Sequence, residues 1–324
     1  MTARRKTALI SQSSRNTPAR VSPAPTDHFF IIAGPTAVGK SDIAVAVAEQ
    51  CNGEIIGADA FQIYQGLDIL TAKPSPALRA RVPHHLIGEI PLTQSFDVAQ
   101  YLTLAQARIA DIRARGRVPI VAGGTGMYLR ALLRGLADLP PADAELRAQL
   151  EARPLADLQR QLAELDPEGV NRIDLKNPRR VIRALEVCLL TGRPFSSFRE
   201  QWTGEASAPR GVVLTLDRET LHTRIEHRTE AMFDAGVIDE VAQCGDLGPT
   251  ASQVLGWREI RAHLRGEMSR AECITAIAQA TRQYAKRQMT WFRREESLEM
   301  LDLASTPPGA LVSRLAAQAA AAIL

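Results

Sequence analysis

Four short, mostly apolar runs punctuate the chain, at residues 29–33, 54–58, 118–122 and 211–216. None shows the polar alternation of a half-exposed strand, so each is predicted to be a strand covered on both faces, as in a parallel sheet. Between them lie stretches of helical length such as 98–115, where apolar positions recur every three or four residues. Strands alternating with helices predict an α/β fold with a doubly wound parallel core. Residues 141–199 break this rhythm. Charged, amphipathic stretches at 144–152, 155–165 and 178–190 carry no strand-like run and predict a helical insertion, dividing a core of residues 27–140 and 200–324. The last third of the chain also reads as mostly helical.

Composition adds limits to this pattern. A chain of 324 residues, 45% hydrophobic, is long enough to bury a sizeable core. Its apolar runs fall short of the roughly 20 residues that span a bilayer, so no membrane partner is expected. Cys51, Cys188, Cys244 and Cys273 form no pair at metal-ligand spacing, which predicts reduced thiols in a cytoplasmic setting. His84 and His85 are adjacent and are expected to point apart, so no transition-metal site is predicted there. The formal charge of +3 is unevenly spread, because residues 1–26 hold Arg4, Arg5, Lys6, Arg15 and Arg20 and no acid. That segment is rich in Ser, Thr and Pro and poor in large apolar groups, and is predicted to be a disordered basic tail. The folded remainder is therefore net acidic, and any polyanion must be met by local basic patches. The chain is expected to act as a monomer.

Between the first apolar run and the first helical stretch lies Gly34-Pro35-Thr36-Ala37-Val38-Gly39-Lys40-Ser41. It fits the phosphate-binding pattern G-x-x-x-x-G-K-[ST] in the strand-to-helix setting the pattern requires. The glycines allow a tight turn, and successive N–H groups and a helix N-terminus converge on anionic oxygens. Lys40 adds a charge and Ser41 a hydroxyl able to ligate Mg²⁺. A bound di- or triphosphate follows, without saying which.

Chemistry at such a site needs a carboxylate at the end of a strand. Asp59 and Asp217 both qualify, whereas the run ending at Ala122 leads into Gly123-Gly124-Thr125-Gly126, which offers backbone and a hydroxyl only. Asp59 ends the strand after the phosphate-loop helix, beside the phosphate site, where it can act as a general base, cap a helix or stand as an outer ligand of Mg²⁺. Two basic segments are also open to two readings. Arg179, Arg180 and Arg183 form either a solvated helix face or a contact for a phosphate backbone. The basic and aromatic stretch 282–294 either packs or binds RNA by backbone contact and stacking.

Several segments together resemble the tRNA dimethylallyltransferase family. They are residues 34–41; Asp59-Ala60-Phe61-Gln62-Ile63-Tyr64 with Gly66-Leu67-Asp68 and Thr71-Ala72-Lys73-Pro74; Pro83-His84-His85-Leu86; and Gly123-Gly124-Thr125-Gly126-Met127-Tyr128. Asn177 to Val187, Gly256-Trp257-Arg258-Glu259 and Thr281 to Gln288 continue the match, which runs from residue 29 to about 303. The resemblance implies a P-loop NTPase-like core that moves a dimethylallyl group from dimethylallyl diphosphate to N6 of the tRNA adenosine adjoining the anticodon on its 3′ side. Gly34, Pro35, Thr36, Ala37, Val38, Gly39, Lys40 and Ser41 would then hold a diphosphate leaving group, with Mg²⁺ at Ser41. Asp59 matches the family's base and Thr125 the threonine that touches the target adenine. Gln62 matches a glutamine that helps read the base, and Ala60 and Phe61 complete that tRNA-facing segment. Arg224 resembles the arginine near the diphosphate. Arg147, Arg179, Arg180, Val181, Ile182 and Arg183 correspond to tRNA-contacting positions in the insertion.

Three positions depart from the family pattern: Ala60 stands where a serine is usual, Leu70 for a glycine and Trp257 for a tyrosine. None removes a charge the transfer needs. The rival reading is a P-loop small-molecule kinase or ATPase, with Asp59 or Asp217 holding Mg²⁺.

Overall fold

A computed structural model describes residues 28–202 and 211–322; the basic tail expected over residues 1–26 lies outside them. In chain order the elements are β1 (Phe30–Ala33), α1 (Lys40–Gln50), β2 (Gly53–Ala58), α2 (Pro76–Arg79), β3 (His84–His85), α3 (Val98–Ala114), β4 (Val118–Gly123) and α4 (Gly126–Arg134). Three helices follow, α5 (Ala144–Glu151), α6 (Leu155–Leu165) and α7 (Pro178–Thr191), then β5 (Gly211–Thr215), α8 (Arg218–Asp234), α9 (Val237–Gln243), α10 (Trp257–Leu264), α11 (Arg270–Phe292), β6 (Glu299–Asp302) and α12 (Pro308–Ala321).

The six strands form one parallel sheet in the order β3-β2-β4-β1-β5-β6. Successive side chains on a strand face opposite sides, and the central strands supply apolar groups to both. Ile31, Ile56, Val121 and Val213 join Tyr101, Ile109 and Leu129 of α3 and α4 on one face. Phe30, Ile32, Ile55, Ile120 and Leu214 meet Val45, Ile225 and Leu315 of α1, α8 and α12 on the other. This double covering is why the runs lack alternation.

Two strands were not expected from the sequence, β3 and β6. Both lie at sheet edges. β3 is two residues long, and in β6 only Leu301 is buried, so neither reads as an apolar run. The C-terminal third is thus helical except for β6, which pairs with β5 from Val212↔Glu299 to Thr215↔Asp302.

Between α4 and β5, the helices α5 to α7 gather around their own core of Leu150, Leu158, Leu162, Val181 and Leu185. Its polar latch is Glu186, fully buried on α7. Glu186 accepts from both Nε and Nη2 of Arg147 at 2.9 Å, from Arg183, and from the Asp143 N–H at 2.8 Å. Burial opposes ionisation of Glu186, yet the two guanidinium groups hold its carboxyl below the usual range.

The caps explain where the long helices start. Asp97 with Gln100, and Ser269 with Glu272, form capping boxes at α3 and α11. Asp217 caps α8, its carboxylate accepting from the Thr220 N–H at 2.9 Å.

Candidate active site

The phosphate loop leaves β1 at the carboxyl edge of the sheet, where β1 lies between β4 and β5. Gly34 has φ +153°, and a Cβ there would strike the Leu214 carbonyl; Gly39, at φ +101°, starts α1. Only glycine meets both demands without strain. Val38 is buried beneath the loop and anchors it from inside.

A cavity of about 430 Å³ opens over the loop. Lys40, Ser41, Asp59, Gln62, Arg224 and Arg228 are among the groups that line it. Lys40 Nζ donates to the Pro35 carbonyl at 2.7 Å. Burial lowers its pKa to about 8; the nearby Asp59 charge opposes that fall and Arg228 adds to it.

Thr36 is gripped twice: its N–H donates to Gln288 Oε1 at 2.9 Å, and its hydroxyl accepts from Arg228 Nη2 at 2.8 Å. Arg224 and Arg228 lie one helical turn apart on α8 and so share a face. Arg224 is exposed and donates to the Val38 carbonyl at 3.1 Å, bracing the loop from outside. Arg228 is half-buried and reaches the cavity, and its Nε is buried without a hydrogen-bond partner among the described residues. Sequence reasoning singled out Arg224 and missed Arg228; the i, i+4 spacing was the available signal.

Across the cavity, the end of β2 meets the turn after β4. Asp59 Oδ1 accepts from the N–H groups of Phe61 at 2.9 Å and Gln62 at 3.3 Å, so this carboxylate caps a turn and not a helix. One oxygen is fixed by the backbone, which orients the other. Thr125 Oγ1 accepts from the Ala60 N–H at 3.0 Å, and the Thr125 N–H donates to the Ala58 carbonyl at 3.1 Å. Asp59, Ala60 and Thr125 therefore form one unit.

Gln62 donates through Nε2 to the Thr71 and Ala72 carbonyls at 3.1 and 3.0 Å, which leaves its carbonyl as the group available to a ligand. The loop it holds is tied down further by Lys73, which donates to the Tyr64 and Gly66 carbonyls and pairs with Asp68. Phe61 packs beside Leu67 and Ile277. Tyr284 of α11 shares a smaller pocket with Asp59, Thr36 and Arg228; burial and the Asp59 charge push its phenol pKa up, so it stays neutral.

The remaining candidates divide. Asp217 is exposed and occupied as a helix cap, away from the cavity lining. His85 binds buried Glu54 at 2.7 Å while His84 turns to the Val82 carbonyl, and no cluster of three His, Cys, Asp or Glu residues able to hold a metal exists among the described residues. Cys51, Cys188, Cys244 and Cys273 are unpaired.

In the insertion, Arg179 and Arg180 are exposed at the start of α7, but Arg147 and Arg183 are engaged by Glu186. Val181 and Ile182 are 0% and 7% exposed, so their side chains are enclosed by the insertion core and out of reach of RNA. On α11 the packing reading holds for one face, and the other face is open to solvent. Ala285, Gln288 and Phe292 face inward, while Lys286, Arg287, Thr290, Arg293 and Arg294 form an exposed, mostly basic stripe. Arg130 of α4 stacks 5.4 Å from the Trp291 ring beside it.

A parallel sheet with a phosphate loop at its carboxyl edge, a turn-fixed carboxylate two strands away and a local basic stripe on α11 mark the class as a phosphate-loop α/β transferase. The chain belongs to the IPP transferase family, whose model matches residues 62–295. It is 43% identical over 287 residues to a tRNA dimethylallyltransferase of Akkermansia muciniphila, covering 88% of this chain and 97% of that one. To the tRNA dimethylallyltransferase of Maricaulis maris it is 46% identical over 276 residues, covering 82% and 90%. Among solved structures, it resembles the full-length tRNA isopentenylpyrophosphate transferase of Bacillus halodurans with TM-score 0.65 and 34% identity, over 92% of this chain and 97% of that one. A eukaryotic dimethylallyltransferase acting on tRNA matches with TM-score 0.73 at 27% identity, over 86% and 74%.

Proposed function

We propose that this protein transfers a dimethylallyl group from dimethylallyl diphosphate to N6 of the tRNA adenosine adjoining the anticodon on its 3′ side. One observation carries the reading: Asp59 and Thr125 are joined through Ala60 at the rim of the cavity that Lys40, Ser41 and Arg228 line. An anionic leaving group and a proton acceptor thus face one space.

The adenine leaves its stack in the anticodon loop and enters beside Thr125, at small cost for a loop base. Its exocyclic nitrogen is a weak nucleophile because the lone pair is delocalised into the ring. As the N6–C1 bond forms, the free oxygen of Asp59 takes the N6 proton, and the C1–O bond breaks with its electron pair going to diphosphate. The loop amides, Lys40 and Arg228 meet the developing charge. Hard oxygen donors suit Mg²⁺, and Ser41 with the diphosphate oxygens would hold it, neutralising charge on the leaving group.

Arg179, Arg180 and the α11 stripe contact the phosphate backbone. Arg147 and Arg183 support that surface from beneath through Glu186. No helix among the described residues is long and apolar enough to cross a membrane.

The test incubates the protein with Mg²⁺, radiolabelled dimethylallyl diphosphate and unmodified tRNA, followed by digestion of the RNA. Label on adenosine is the expected result. No label, beside an active control enzyme, together with steady ATP turnover would establish the kinase instead.

A further inference from the structure

Gln288 lies in the interior of α11 and is 6% exposed. Its amide is used at both ends. Oε1 accepts the Thr36 N–H of the phosphate loop at 2.9 Å, and Nε2 donates to the Gly124 carbonyl, in the turn that carries Thr125, at 2.9 Å. The two partners belong to the two halves of the site: Thr36 to the loop over β1, Gly124 to the turn over β4. A Cβ at residue 124 would collide with this amide, so glycine there is what admits it. One helical turn earlier, Tyr284 lines the smaller pocket with Asp59 and Thr36.

We propose that Gln288 is a positioning residue for group transfer: its amide ties the phosphate loop to the Thr125 turn and so fixes the separation between the allylic carbon of the donor and the nitrogen of the acceptor. This rests on the transferase reading above. Gln288 also lines the cavity, but its amide is spent on Thr36 and Gly124, which leaves the diphosphate to Lys40, Arg228 and the other loop amides, and the adenine to Thr125 and Asp59. What the amide supplies is alignment, to which transfer rates are steeply sensitive. When the two halves drift apart, water can take the place of the adenine nitrogen. The C1–O bond then breaks toward diphosphate, a C1–O bond to water forms, and a proton is released, giving dimethylallyl alcohol.

The experiment compares wild type, Gln288→Met and Gln288→Glu under single turnover with labelled dimethylallyl diphosphate and tRNA, counting label in tRNA and in dimethylallyl alcohol. Methionine preserves length and removes both bonds; glutamate preserves shape and the Thr36 acceptor but cannot donate to Gly124. Transfer is expected to slow by about tenfold or more in both and the alcohol-to-tRNA ratio to rise about tenfold, with affinities for each substrate within about threefold of wild type in Gln288→Met, while the glutamate charge beside the phosphate loop also weakens diphosphate binding. That ratio does not depend on how much protein is folded. A wild-type ratio in both variants overturns the proposal, whether activity is retained or falls only in step with folded protein measured by thermal melting. Failure of the wild type to label tRNA overturns the transferase reading instead.

Discussion

Burial of Lys40 makes diphosphate binding depend on pH in a window where an ordinary lysine is silent. In the free protein its pKa stands at about 8, against 10.5 for an unperturbed side chain, because burial disfavours the ammonium. The sign for folding follows: between pH 8 and 10.5 the unfolded chain binds more protons than the native one, so this group makes stability rise with pH there. For ligand binding the sign reverses. A diphosphate beside Lys40 favours the ammonium and lifts its pKa, so the complex holds the proton that the free protein has begun to lose. Taking the bound lysine as fully charged, raising the pH from 7 to 9 weakens affinity by about tenfold, while a lysine with the ordinary pKa gives a change of only a few per cent. Titration calorimetry with dimethylallyl diphosphate, whose own ionisation is nearly complete over this range, in two buffers of different ionisation enthalpy measures the linked proton. Uptake of about half a proton is expected at pH 8, rising toward one at pH 9. Lys40→Arg, always charged, should show no uptake. A constant affinity from pH 7 to 9 in the wild type, with no proton taken up, would refute the argument.

Asp59→Asn keeps an oxygen to accept the Phe61 and Gln62 N–H groups while abolishing the base, so transfer should fall by about 10²-fold or more with tRNA affinity unchanged in a filter-binding assay; a parallel loss of binding would show that the carboxylate serves the fold instead. Glu186→Gln removes the buried charge facing Arg147 and Arg183 and should cost about 3 kcal/mol in chemical denaturation, the scale for breaking a buried pair. A loss below about 1 kcal/mol would mean that solvent already satisfies these arginines. Arg179→Ala and Arg180→Ala should each reduce the salt slope of tRNA binding by about one; Arg147→Ala, whose guanidinium faces Glu186, should lower stability instead, and an equal slope change for all three would contradict the division drawn here.

The central strands were legible because burial on both faces leaves an unbroken apolar run in sequence, as in Ile31 and Ile32, or Val212 and Val213. β3 and β6 were not, since edge strands are held by backbone pairing and carry His84, Glu299 and Asp302 without penalty at the rim. The phosphate loop was legible for a different reason: its chemistry is local, with loop and helix N-terminus contiguous in the chain. Gln288 acts on Thr36 across 252 residues of sequence separation with no local pattern to announce the contact, and Arg228, 192 residues from Thr36, was marked only by its i, i+4 spacing from Arg224. The converse holds for Val181 and Ile182, where a contiguous segment hid the helical period that turns both inward.

The strand order also explains why one site suits departure of a diphosphate and acceptance of a proton. β4 lies between β1 and β2, so with strands about 4.8 Å apart the ends carrying the phosphate loop and Asp59 stand about 10 Å from each other. Asp59 still shares the cavity with Lys40 and its charge is felt there, so the interposed strand sets the distance between carboxylate and phosphate loop without isolating them. With β4 interposed, the space opposite its end is framed by Gly123, Gly124 and Thr125, which carry no charge and, at the glycines, no bulk. In the transfer proposed above, the allylic carbon and the adenine nitrogen would meet there, between a cationic cradle for the leaving group and a carboxylate for the proton. On that reading Thr125, hydrogen-bonded to Ala60 next to Asp59, steadies the acceptor between the two charges.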